Sequence, residues 1–140
     1  MVNARSKGRR GEREVIDEIK SLLGIQLEVN YSQTFGGGHD LLGLDGSAIE
    51  VKRRKQITQA DLKNFWEQTT RQATKINLLP CLWFRADRSE WRVMIADLYA
   101  LKKGLFEIED FNIASNISTE LFAAIMREEF NLGTLNTSTQ

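Results

Sequence analysis

Apolar residues recur at helical spacing between Lys7 and Leu23, where Val15, Ile16, Ile19, Leu22 and Leu23 share a stripe and Gly24 offers a stop. At about 100° per residue, Glu12 falls on that stripe, whereas Glu14, Asp17 and Glu18 fall on the polar side as a solvated face. An acid facing the core near a helix start either snorkels out to complement the helix dipole or points at a cation. The period then shortens to two: Ile25, Leu27, Val29 and Tyr31 alternate within residues 25–33 and predict a first strand. Gly36-Gly37-Gly38 follows without the helix-opening pattern of a phosphate-binding loop.

The stretch from His39 to Lys55 predicts a hairpin with acids in unusual places. A two-residue turn at Asp45-Gly46 would set Asp40 opposite Val51 and send Asp40 and Glu50 to opposite faces. A three-residue loop, Leu44-Asp45-Gly46, instead puts Gly46 at the left-handed position and sets Asp40 opposite Glu50, Leu41 opposite Ile49 and Leu42 opposite Ala48. Facing carboxylates repel. The second register is favoured because a shared metal ion would turn that repulsion into a binding site. Alternation places Glu50 and Lys52 on one face and Ile49 and Val51 on the other.

Thr58-Gln59-Ala60-Asp61 forms a capping box ahead of a helix striped by Leu62, Phe65, Trp66, Thr69, Ala73 and Ile76, with Gln68 and Gln72 on or beside the stripe. Two strands follow, Leu79 to Phe84 and Trp91 to Ile95, around a polar turn at Asp87-Arg88-Ser89, then a short helix from Asp97 to Lys102. Past Gly104 a mixed segment leads to a helix from about Thr119 to Phe130, and Thr134 to Gln140 reads as a disordered tail. The expected fold is α/β, an αβββαββα core over residues 1–104 with a mixed central sheet, and a C-terminal helical extension over 105–140. Trp66, Trp83 and Trp91 read as core or interface residues, and Cys81 as a buried, inert thiol.

Composition narrows the class. A chain of 140 residues, 41% hydrophobic and 27% charged, supports one globular domain. A single cysteine suits a reducing compartment, and no apolar run approaches a membrane span, so a cytoplasmic protein without membrane partners is expected. The net charge of zero names no partner, but its distribution does: Arg5, Lys7, Arg9, Arg10 and Arg13 cluster at the start, and Lys52, Arg53, Arg54 and Lys55 follow the hairpin. Such local basic patches bind nucleic acid.

Hard oxygen donors with few companions suit Mg²⁺ or Mn²⁺, and the Val51 carbonyl, between the acid and the lysine, offers one more. Lys52 would orient or deprotonate the nucleophilic water, or neutralise the attacked phosphate. Asp40, a short hairpin and Glu50-Val51-Lys52 resemble the signature of the PD-(D/E)XK nuclease superfamily. The preceding "KGRRGERE" is similar to the opening of archaeal-type Holliday junction resolvases, over roughly Lys7 to Lys102. The resemblance implies a restriction-endonuclease-like core and a homodimeric, magnesium-dependent enzyme cutting four-way DNA junctions. It implies that Asp40 and Glu50 hold the metal with Glu12 completing the acidic site, that Lys52 is catalytic, and that Arg9, Arg10 and Arg13 contact the DNA backbone. Ser32 and Thr34 both match a loop hydroxyl of the resolvases, and Ser32 joins Lys7, Arg53, Arg54 and Lys55 among expected DNA contacts. His39 stands where the superfamily often has proline, and it joins Gln68 and Gln72 as accessory residues. Two other readings compete: another nuclease of this superfamily (restriction, flap or repair type), and a non-catalytic nucleic-acid-binding protein on the same fold.

Overall fold

A computed structural model describes residues 4–31 and 39–130, with the side chains of 4–7 and 129–130 outside that description. The first helix, α1 (Ala4–Leu23), buries Val15, Ile19 and Leu23, and it begins ahead of the periodic stripe that announces it. The strand expected over residues 25–33 is reduced to β1 (Glu28–Val29) among the described residues. The ladder stops because β1 pairs with β2 (Leu41–Leu42), and β2 ends at Gly43 with φ +121°. A Cβ at Gly43 would stand 3.2 Å from Leu27 Cδ2 and 3.3 Å from the Gln26 carbonyl, so the chain can turn there only as glycine.

β2 runs antiparallel to β3 (Ser47–Arg54) with Leu41 opposite Ile49, the register of the three-residue loop. Gly46 takes the left-handed conformation at φ +81°, and the Ser47 amide donates to the Leu44 carbonyl at 3.2 Å. The capping box forms as written: the Asp61 amide donates to Thr58 Oγ1 at 3.0 Å, and the Thr58 amide donates to Asp61 Oδ2 at 2.9 Å. It opens α2 (Gln59–Lys75), which buries Leu62, Trp66, Thr69, Thr70 and Ala73; Ile76, expected on the stripe, caps the helix and is exposed. As a crossover, α2 brings β4 (Leu79–Ala86) parallel to β3. β5 (Arg92–Ala96) returns antiparallel, and Asp97 caps α3 (Leu98–Lys103).

After a 3-10 turn at Phe111–Ile113, a strand not anticipated from the pattern, β6 (Ala114–Ser118), pairs antiparallel with β5. The final helix, α4 (Thr119–Phe130), has the expected bounds. Among the described residues six strands lie in chain order in one mixed sheet, antiparallel except at β3–β4. On one face α1 and α4 pack Val15, Ile19, Phe122, Ala123 and Met126 against Ile49, Val51, Cys81, Trp83 and Val93. On the other, Leu62 and Trp66 of α2 cover Leu82, Phe84 and Met94, with Ala100 and Ile113 alongside. Each large apolar side chain buried this way contributes about 1.5–3 kcal/mol. The segment after Gly104 therefore supplies a strand to the sheet and three side chains to the first core. Among the described residues no helix is long and apolar enough to cross a membrane.

Candidate active site

The register that sets Leu41 opposite Ile49 brings Asp40 against Glu50. Just ahead of β2, the Asp40 amide donates to the Ile49 carbonyl at 2.8 Å, and its carbonyl accepts from the Asn30 amide at 2.8 Å. Its side chain turns toward β3, where Oδ2 accepts from the Val51 amide at 2.7 Å. That bond fixes the carboxylate and ties Val51 to the site through its backbone, while the Val51 side chain faces the first core. Asn30 also donates from Nδ2 to the His39 carbonyl at 2.9 Å, which steadies the residue before the aspartate.

Glu50 pairs across the parallel ladder with Leu82 and Lys52 with Phe84, so both lie on the face that α2 covers. Glu50 is only 4% exposed. Burial, then the charge of Asp40, pushes its carboxyl up to about 8; Lys52 opposes the shift, while Glu12 and a hydrogen bond with Asp40 add to it. Burial and the neighbouring Asp40 thus favour the protonated form of Glu50 when no cation is bound. The Lys52 ammonium stands 3.8 Å from Glu50 Oε2. Glu12, on α1, is half-buried, and burial together with Asp40 raises it to about 7 while Arg9 pulls the other way. Three carboxyl groups from three elements feel one another. Among the described residues, however, no three acidic, histidine or cysteine side chains already converge as a complete metal cage. Mg²⁺ keeps several waters and takes one or two protein carboxylates, so a facing pair of acids suits a hard divalent ion, which would relieve their repulsion.

Two features around these groups escape a sequence reading. Gly11 lies where α1 crosses β3: a Cβ there would stand 3.1 Å from Arg53 Cβ, 3.4 Å from Val51 Cγ1 and 3.5 Å from the Trp91 ring. Its absence lets the helix carrying Glu12 sit directly on the strand carrying Glu50. Glu14, read as a solvated acid, instead accepts from Arg85 Nη1 at 2.7 Å and Trp91 Nε1 at 3.0 Å, and lies 3.5 Å from Arg53 Nε. Its partners come from β3, β4 and the residue just before β5, so no local signal announces it.

Arg53, expected among the DNA contacts, turns toward acids of its own chain. Its side chain is 11% exposed, ion-paired at 2.7 Å to Asp87 and held beside Glu14, so its charge is spent inside the molecule. Arg9, Arg10, Arg13 and Lys55 are exposed and Arg54 is half-buried. Lys7's side chain, Ser32, Thr34, the three glycines 36–38 and the tail after 130 lie outside the described residues. His39 is half-buried, which lowers its pKa against the pull of Asp40. Gln68 and Gln72 are half-buried on α2. All three tryptophans are buried, as is Cys81, whose thiol burial pushes strongly upward.

A family model described as "Phage putative PDDEXK endonuclease" matches residues 3–137. The curated Protein D14 of Escherichia phage T5 is 29% identical over 114 residues, covering 67% of this chain and 71% of that protein. Among solved structures, Hjc of Archaeoglobus fulgidus, a Holliday junction resolvase, aligns over 63% of this chain and 71% of its own, with 24% identity and a TM-score of 0.45.

Proposed function

The chain belongs to the phage PD-(D/E)XK endonuclease family, and from that premise we propose that it is a divalent-metal-dependent DNA endonuclease that selects branched DNA, four-way junctions first. The observation that carries the catalytic reading is the pairing of half-buried Asp40 with buried Glu50, the Lys52 ammonium standing 3.8 Å from Glu50. Asp40, Glu50, the Val51 carbonyl and Glu12 would hold Mg²⁺ or Mn²⁺. When bound, such an ion lowers the pKa of a coordinated water and offsets charge developing on the attacked phosphate.

The chain's own groups divide the remaining work. The Val51 amide aims the Asp40 carboxylate, and Glu50 would give up its proton to solvent for the pair to hold a cation. Lys52 places positive charge where the phosphate's non-bridging oxygens arrive, and it orients the attacking water. Arg9, Arg10, Arg13, Arg54 and Lys55 anchor neighbouring phosphates, so binding weakens steeply with salt. The preference for junctions rests on the "KGRRGERE" opening that carries Glu12, which is similar to that of the resolvases. Paired incisions on opposing strands call for two sites, which a two-fold homodimer supplies.

Four-way junction, flap and linear duplex substrates, cut side by side with Mg²⁺ or with EDTA, test this reading. The expected outcome is magnesium-dependent cleavage of the junction, abolished by EDTA and reduced at least about a thousandfold in Glu50→Ala and Asp40→Ala. Preferential cutting of linear duplex would remove the resolvase assignment. Cleavage unchanged in both variants would remove the site.

A further inference from the structure

Phe65 lies on the α2 face that looks toward β3, one residue before the fully buried Trp66 and packed at the edge of the second core. Its ring takes two cations at once: the Lys52 ammonium stands 5.2 Å from the ring centroid and the Arg54 guanidinium 5.5 Å. Both distances fall within the range where a cation is attracted to the face of an aromatic ring. Positions 52 and 54 share a strand face and are separated by two residues, about 6.6–6.8 Å along the strand. Without a partner between them, two like charges at that spacing would splay into solvent. The ring offers the attraction that keeps them together, and Arg54 Nη1 also donates to the Arg53 carbonyl at 3.1 Å.

We propose that Phe65 is a positioning residue that clamps Lys52 and Arg54 side by side, so that Lys52 faces the scissile phosphate while Arg54 grips its neighbour. This rests on the nuclease reading given above. A long, flexible lysine loses side-chain entropy when it is held for catalysis, and a ring that holds it beforehand removes that loss from the reaction. The carboxyl of Glu50 restrains the ammonium from one side at 3.8 Å, and the Phe65 ring restrains it from another. The Lys52 side chain keeps 13% of its surface exposed, and a phosphate oxygen would approach from that side.

The ring is not required to touch DNA or metal, so its removal separates from loss of the site itself. Phe65→Leu and Phe65→Met keep an apolar group at the core edge without a π face, while Phe65→Tyr keeps the face. In the active full-length protein, the first two should lower kcat about tenfold, the rate equivalent of about 1.4 kcal/mol, with a smaller change in KM. Phe65→Tyr should stay within about twofold of the parent. Proton NMR of the metal-free protein reads the clamp without catalysis. The side-chain methylenes of Lys52 and Arg54 should be shifted upfield by the ring in the parent and in Phe65→Tyr, and return to ordinary positions in Phe65→Leu. Unshifted methylenes in the parent, or a parental kcat in folded Phe65→Leu and Phe65→Met, would overturn the clamp while leaving the nuclease reading intact. A parent that cuts no DNA would overturn the nuclease reading and the proposal with it, even with the ring shifts present.

Discussion

Glu50 concentrates the conflict between stability and chemistry into one side chain. Its carboxyl is lifted from 4.5 to about 8 by folding, and Glu12 moves the same way to about 7. A carboxyl raised on folding binds more protons in the native state than in the unfolded chain between those values. Its contribution is therefore complete below about pH 4.5 and is lost as pH climbs through about 8. The metal-free protein, kept in chelator, should show a Tm that falls from pH 5 to pH 8.5. Glu50→Gln should flatten most of that slope and melt higher than the parent at the alkaline end. Parallel slopes in the two proteins, followed by circular dichroism, would contradict the burial and pairing described for this carboxyl. The facing of Asp40 and Glu50 was only partly legible in the sequence, because Asp45-Gly46 suits a two-residue turn as well as the three-residue loop, and only the chemistry of a shared cation favoured the second. Arg53 was not legible, because a basic run reads alike whether its members point outward or into an ion pair with an aspartate thirty-four residues away.

Where α1 meets β3, element packing depends on a missing methyl group. Glycine in a helix interior costs about 1 kcal/mol relative to alanine, so Gly11 weakens α1 by itself. Its return is the close approach to Arg53 and Val51. Gly11→Ala should gain helix propensity yet lose stability overall, by about 1–3 kcal/mol, as the helix is forced off the strand. Cleavage should fall with it, since Glu12 rides on the next residue. Denaturant unfolding checks the sign: a more stable Gly11→Ala would mean that α1 yields without strain. The amphipathic helices were readable because their partners' identity hardly matters to a 3.6-residue stripe. Strands at the sheet margins were not. β1 is cut short by the length of β2, and β6, Ala114–Ser118, pairs along one edge only and carries no alternation strong enough to announce itself.

At the scale of the whole molecule, sheet order equals chain order among the described residues, so β1 and β6 are the sheet's two edges and the carboxyl pair sits close to the β1 edge, beside β2 and β3. The family likeness runs past Lys102 to residue 137, and the packing runs on with it. Phe122 and Met126 fill the first core, and together they represent about 3–6 kcal/mol of burial. That is a large share of a typical domain's 5–15 kcal/mol. A chain ended at Gly104 should therefore lose cooperative unfolding as well as activity. A sharp thermal transition near the parental Tm would show instead that residues 105–140 are dispensable for the fold.

The Glu14 junction carries one more implication, and it is mechanical. Two residues along α1, Glu12 and Glu14 project about 200° apart around the helix axis, so they cannot serve the same site. By gripping Arg85, Trp91 and Arg53, Glu14 stops α1 from rolling like a log on the sheet. A roll of one residue's turn would swing Glu12 away from Asp40 and Glu50. The acid with no place in the chemistry thus sets the aim of the one that has it.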